Sequence, residues 1–192
     1  ISKEQISNRF LAMELGIESE RLRTGRLHQD EWSLLSQGIA SLSKLPLYIT
    51  DQPISSIEDT QSICQKIKEE SAKQSLGLVI IDYVQLLYYL PISEVTNREE
   101  YLLELVKTLK MMARELNVPV IVISQISKDV EKRRNMRPML SDIRDFEPLE
   151  VYSDIITMIY RDEYYYPETD DRGLAEIITC KHKNGPLGTV KL

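Results

Sequence analysis

The chain is poor in the residues that build secreted scaffolds, metal centres and membrane spans. Its 192 residues hold only two cysteines and two histidines. Cys64 and Cys180 offer neither a disulfide framework nor metal-ligand spacing, so they read as small buried hydrophobes in a chain suited to a reducing compartment. His28 and His182 are just as isolated, which argues against a histidine metal site. No apolar run approaches the roughly 20 residues that span a bilayer, so no membrane partner is expected. The polar start, Ile1-Ser2-Lys3-Glu4-Gln5, is unlike a signal peptide. No Ser/His/Asp triad, internal repeat or low-complexity linker occurs. The length suits a single domain, taken as residues 1–192.

Apolar residues make up 42% of the chain and charged residues 28%. That is the balance of a globular protein, which at this length buries roughly 70% of its unfolded surface. The net charge of −6, from 24 basic and 30 acidic residues, argues against a protein that coats DNA non-specifically. Charge therefore has to be read by position. The first residue is Ile rather than Met and a helical pattern begins at once, so further chain upstream is expected.

Ile6, Phe10, Leu11 and Met13 give helical spacing over residues 3–15, with Ser2-x-x-Gln5 in the form of a capping box. A second amphipathic stretch covers about His28 to Ser43. Leu47-Tyr48-Ile49 reads as a short strand closed by Asp51-Gln52-Pro53, and a further helix runs from about Ser56 to Gln74. Leu78-Val79-Ile80-Ile81 has the continuous apolar character of a strand covered on both faces. A helix over about Asn97 to Leu116 and a second buried strand at Val118–Ile123 follow, then a polar loop at 126–140. Strands at Ile155–Tyr160 and Leu174–Lys181 and a turn at Asn184-Gly185-Pro186 close the chain. The alternation of strand and helix predicts an α/β class with a mainly parallel sheet flanked by helices and a C-terminal antiparallel hairpin.

In such sheets ligands bind at the carboxyl ends of the strands. Two core strands end there in polar groups, Asp82 and Ser124-Gln125. A carboxylate at that place can hold a Mg²⁺ that bridges nucleotide phosphates, the role of a Walker B aspartate. A neutral amide on the next strand can contact the terminal phosphate or orient a water. Each residue also has a plainer use, as a cap or a surface amide. The loop 126–140 carries Lys128, Lys132, Arg133, Arg134 and Arg137 against Asp129 and Glu131, five positive charges against two negative. Phosphate contact suits it, and so does simple solvation. Lys181 and Lys183 share one face of a strand at a hairpin tip, placed either to reach a phosphate on a neighbouring subunit or to protect a sheet edge. Tyr164-Tyr165-Tyr166 reads as a packed loop rather than a base-stacking platform.

Read together and in order, these signals resemble the DnaB family of replicative helicases. The resemblance is carried by Arg9-Phe10-Leu11-Ala12-Met13-Glu14, Arg21-Leu22-Arg23-Thr24-Gly25-Arg26-Leu27 and Leu78-Val79-Ile80-Ile81-Asp82-Tyr83-Val84-Gln85-Leu86. It continues through Leu116-Asn117-Val118-Pro119-Val120, Ser124-Gln125, Arg137-Pro138-Met139-Leu140-Ser141-Asp142-Ile143-Arg144 and Ile159-Tyr160-Arg161-Asp162-Glu163-Tyr164-Tyr165. It ends with Asn184-Gly185-Pro186-Leu187-Gly188-Thr189-Val190, so it covers essentially the whole chain.

The resemblance implies a RecA-like (P-loop NTPase) motor domain. It would be one subunit of a hexameric ring that encircles single-stranded DNA and moves by hydrolysing ATP with Mg²⁺. It implies Asp82 as the metal-holding catalytic carboxylate, Gln125 as the γ-phosphate sensor, and Lys181 and Lys183 as residues reaching into a neighbour's ATP site. Arg144 and Asp145 would lie in a DNA-facing loop, and Lys132, Arg133 and Arg134 are further DNA-contact candidates. A primase and a helicase loader are the implied partners.

Three departures from the family pattern stand out. No Gly-x-x-x-x-Gly-Lys-Ser/Thr occurs and the family's catalytic glutamate is missing, as expected of a chain truncated upstream and inactive alone. The family's finger arginine is Lys183, a point charge without the planar fork. The family's Glu-Ser-Gly-Ser-Ile-Glu-Gln reads Asp145-Phe146-Glu147-Pro148-Leu149-Glu150-Val151, which removes a backbone N–H at Pro148 and adds a negative charge at Glu147. The alternatives are a degenerate, non-catalytic ring subunit and another RecA-fold ATPase of recombination or of a clock. The bias toward Ile, Tyr and Lys fits a bacterial cytoplasm or a plastid-encoded gene, with a lean to the plastid.

Overall fold

The computed structural model describes residues 1–51, 57–70, 76–87 and 98–192, which form two compact units, Ile1–Pro53 and Ile54–Leu192. In the first unit, α1 (Lys3–Leu15) starts as its sequence predicts. The Gln5 N–H donates to Ser2 Oγ at 3.3 Å and the Ser2 N–H donates to Gln5 Oε1 at 3.1 Å. Gly16 ends the helix at φ 64°, a left-handed conformation that is cheap only without a β-carbon.

The short α2 (Ser19–Thr24) has no counterpart in the sequence reading, because six residues are too few to show a period. Next comes α3 (Glu31–Leu42), which begins three residues later than the pattern suggests. The Glu31 carboxylate accepts the His28 N–H at 2.7 Å and Arg21 Nη2 at 2.5 Å, which holds 28–30 as a turn. Gly38 lets α3 approach α1 closely, since a β-carbon there would lie 2.9 Å from Leu15 Cδ2.

The strand expected at Leu47–Ile49 does not form. This unit is otherwise helical among the described residues and offers that segment no ladder, so Leu47 and Tyr48 stay half exposed. The turn expected at Asp51-Gln52-Pro53 lies partly outside the described residues, as does the end of the helix expected to reach Gln74.

The second unit is built on α5 (Arg98–Leu116). Its Leu102, Leu105, Val106, Leu109, Met112 and Leu116 recur three and four residues apart, and all are buried. They join Val84, Leu87, Cys64, Ile143, Leu149 and Met158 in one core, with Cys64 supplied by α4 (Ile57–Glu70). Burial pushes the Cys64 thiol above its usual range, in keeping with a packing role.

The strands β1 (Val79–Ile81) and β2 (Val120–Val122) pair in parallel, with Val79 opposite Val120 and Ile81 opposite Val122. Coverage on both faces is not what they show. Val79, Ile81, Val120 and Val122 pack on the core, whereas Ile80 is 57% exposed and Ile121 48% exposed. The two-residue strand period sends these isoleucines to the opposite face from α5.

After the loop come α6 (Glu147–Tyr152) and β3 (Ile155–Tyr160), then a short α7 (Asp162–Tyr165). The expected C-terminal hairpin is β4 (Glu176–His182) with β5 (Gly188–Lys191), and β3 joins it to give the antiparallel order β3-β4-β5. A groove of about 960 Å³ lies between the two sheets, lined by Val120, Val122, Ile156 and Met158 among others. Segment 145–151, expected as a loop, is mostly α6. Pro148 occupies the first turn, where a missing N–H costs no helical hydrogen bond. No described helix is long and apolar enough to cross a membrane.

Candidate active site

Because β1 and β2 run parallel, both deliver the residues that follow them to the same edge of the sheet. The Ile123 N–H donates to Ile81 O at 2.9 Å and the Val84 N–H donates to Ile123 O at 2.9 Å, so the pairing extends across Asp82. The Asp82–Tyr83 peptide is cis. Asp82 is exposed and has neither a hydrogen bond nor an ion pair with any described residue. Directly after it the chain turns into a 3-10 segment, Val84–Leu87, pinned by the buried Val84 and Leu87.

Gln125 leaves the neighbouring strand at the same edge and is likewise exposed. Its backbone is held by Gln85, whose Nε2 donates to Ser124 Oγ at 3.0 Å and to Gln125 O at 3.3 Å, while Gln85 Oε1 accepts the Gln125 N–H at 3.3 Å. The structure thus brings Asp82 and Gln125 together at one open edge. The sequence reading passed over Gln85, because a glutamine inside a strand-end motif gives no sign of which backbone it will clamp.

The basic loop divides into inward and outward cations. Arg133 Nη2 donates to Asp142 Oδ2 at 2.7 Å and to Arg137 O at 3.1 Å. Asp142 is buried and also accepts the Met139 N–H at 2.7 Å. Arg137 forks onto the buried Glu176, through Nε at 2.9 Å and Nη2 at 2.7 Å, and lies 4.6 Å from the Tyr160 ring centroid. Both arginines therefore hold the loop. Lys132 is exposed and pairs with Asp129 at 2.6 Å, and Arg134 is exposed. Arg144 and Asp145 follow on the 3-10 segment Leu140–Phe146, with side chains outside those described.

The tyrosine run is packed only in part: it sits at the end of α7 rather than in a loop, and Tyr164 is 76% exposed. Tyr165 stacks on Tyr160 with centroids 5.7 Å apart, and the Tyr166 hydroxyl donates to Arg134 O at 3.1 Å.

Lys181 and Lys183 stand at the end of β4 around Asp154, which the sequence reading did not single out. Lys181 Nζ donates to the carbonyls of Glu150 and Val151, the last turn of α6, where a cation is favoured. Lys183 Nζ lies 3.8 Å from Asp154 Oδ1, and its N–H donates to Asp154 O at 2.9 Å. Lys110 Nζ also donates to the Asp154 carboxylate. That bond, followed by the charges of Lys110, Lys183 and Lys181, holds the Asp154 carboxyl below its usual range. Neither Lys181 nor Lys183 bonds to Asp82 or Gln125.

The donor set suits a hard, largely hydrated cation rather than a caged one. No group of three or more His, Cys, Asp or Glu capable of caging an ion occurs among the described residues. A single open carboxylate suits Mg²⁺, which keeps several waters and takes its remaining ligands from phosphates.

The helix-backed parallel pair with a carboxylate and an amide at its carboxyl edge is part of a RecA-like ATPase fold, as likeness to solved structures shows. One solved ATPase domain matches with a TM-score of 0.91 and 34% identity over all of this chain and 67% of that one. "The Structure Of A DnaB-Like Replicative Helicase And Its Interactions With Primase" gives 0.91 and 34% over all of this chain and 46% of that one.

The sequence profile of the DnaB-like helicase C terminal domain matches residues 1–192, and the chain belongs to that family. Among curated relatives, "Replicative DNA helicase DnaB" of Geobacillus stearothermophilus is 41% identical over 192 residues, all of this chain and 41% of the relative. "Replicative DNA helicase DnaC" of Bacillus subtilis is 42% identical over 189 residues, 98% of this chain and 41% of the relative. The chain thus spans about two fifths of the length of the curated relatives it matches.

Proposed function

We propose that the complete protein is an ATP-dependent replicative DNA helicase, and that residues 1–192 are part of its motor domain. One observation carries this reading: Asp82 and Gln125 share the open carboxyl edge of a parallel pair in a chain that matches the family end to end. Magnesium, when bound, supplies positive charge to the β- and γ-phosphates of ATP. Asp82 holds it through a carboxylate that no described neighbour occupies. Gln125, neutral and fixed through its backbone, contacts the γ-phosphate or orients the attacking water.

Lys183 is exposed and only loosely paired, so it is the lysine free to reach a neighbouring copy's site. Lys181 holds α6 to β4. The outward cations Lys128, Lys132 and Arg134, with Arg144 beyond, supply contacts to the phosphates of single-stranded DNA, while Arg133 and Asp142 keep the loop in shape. In this reading the copies form a hexameric ring, primase and a helicase loader are its partners, and the compartment is a bacterial cytoplasm or a plastid.

The test uses the full-length protein in a DNA-stimulated ATPase and fork-unwinding assay. Wild type is expected to hydrolyse ATP and unwind, Asp82→Ala to lose both, and the 192-residue chain alone to hydrolyse none. Equal ATPase activity in wild type and Asp82→Ala would sink the reading.

A further inference from the structure

We infer that Gln85 is a positioning residue, the link through which the Asp82 end of β1 fixes the γ-phosphate contact made by Gln125. The inference rests on the proposed role of Gln125. Backbone pairing between β1 and β2 runs out with the Val84 N–H on Ile123 O. Beyond that point the chain of β1 curls into Val84–Leu87 and no longer lies alongside the other strand. The side-chain amide of Gln85 takes over there.

Its oxygen accepts the Gln125 N–H and its nitrogen donates to the Gln125 carbonyl, both at 3.3 Å. That is the two-way exchange a paired strand residue would make. The same nitrogen donates to Ser124 Oγ at 3.0 Å. The primary amide of glutamine offers a donor and an acceptor on two adjacent atoms, which matches the N–H and C=O of one backbone residue. A glutamate keeps the shape and loses the donor, a leucine loses both groups, and an asparagine is one methylene short.

Gln85 is half-buried on the 3-10 segment that begins two residues after Asp82, whereas the side chain of Gln125 stays open to the solvent. The clamp therefore fixes the backbone from which the sensing amide projects and leaves that amide free to meet a ligand.

The experiment measures binding of a non-hydrolysable ATP analogue and of ADP, each with Mg²⁺, to the full-length protein and its variants. A γ-phosphate sensor acts on the ratio of the two affinities, whereas loss of general stability lowers both alike. Gln125→Ala is expected to move the ratio several-fold toward one. Gln85→Glu and Gln85→Leu should do the same, and the Gln85→Leu/Gln125→Ala double variant should match Gln125→Ala alone, because two residues acting through one contact are not additive.

Two results overturn the proposal alone: Gln125→Ala shifts the ratio while Gln85→Leu keeps the wild-type value, or the double variant falls by the product of the two single effects. A wild-type ratio in Gln125→Ala overturns the reading of Gln125 and this inference with it.

Discussion

Replacing Arg137 by Met should destabilise the C-terminal sheet far more than an arginine in a charged loop normally would. Glu176 is 6% exposed, and both of its carboxylate oxygens are taken by the Arg137 fork at 2.9 and 2.7 Å. The guanidinium also faces Tyr160, whose hydroxyl donates to Asp162 at 2.7 Å, and lies 3.7 Å from that second carboxylate. Methionine fills the space of the aliphatic stem and strands the Glu176 charge. Breaking a fully buried pair in this way costs about 3–5 kcal/mol. The Arg137 side chain is 39% exposed, so water screens the pair, and the expected loss falls to about 2–3 kcal/mol. For a chain of this length that is a fall in melting temperature of about 5–10 °C.

Thermal denaturation followed by circular dichroism measures it. Arg137→Lys should recover less than half the loss, since one ammonium cannot fork, and Glu176→Gln placed beside Arg137→Met should restore most of it by removing the stranded charge. A single Met variant melting within about 1 °C of wild type would refute the argument, because burial of an unpaired carboxylate cannot be that cheap.

Other expectations concern single contacts. Asp154 has its carboxyl held low by Lys110, so its contribution is complete above the unfolded carboxyl pKa of about 3.9 and is lost as pH falls through the lower folded value. The stability gap between wild type and Lys110→Met should therefore be constant near neutrality and close below about pH 4 in acid titrations. Lys183→Arg in the full-length protein should raise ATP turnover by about tenfold or more at similar substrate affinity, since a fork meets developing phosphate charge better than a point charge; steady-state kinetics would show it, and unchanged turnover would count against a role in a neighbour's site. Ser2→Ala removes one half of the α1 capping box and should cost about 1 kcal/mol, measured by urea denaturation. Gly16→Ala should cost about 1 kcal/mol by the same measurement, because its φ of 64° disfavours a β-carbon.

The sequence by itself determined whatever depends on local periodicity and on the chemistry of a strand end. The bounds of α1, the extent of α5, the position of β3 and the arrival of Asp82 and Gln125 at strand ends were all legible. In each case a repeat of two or about 3.6 residues, or a cap, is written within a few adjacent side chains. Tertiary structure alone decided which polar groups find each other. Arg133 and Arg137 look like their neighbours Lys132 and Arg134 until the fold sets buried Asp142 and Glu176 beside them, nine and 39 residues along the chain. Leu47–Ile49 has strand composition but no strand to pair with, and Ile80 and Ile121 have core composition but face away from α5. Gln85 becomes a clamp only because a turn after β1 aims it at a backbone 40 residues away. A short-range pattern can state that a side chain is polar or apolar, but its partner is chosen by contacts between distant segments, whose formation the whole folded core has to support.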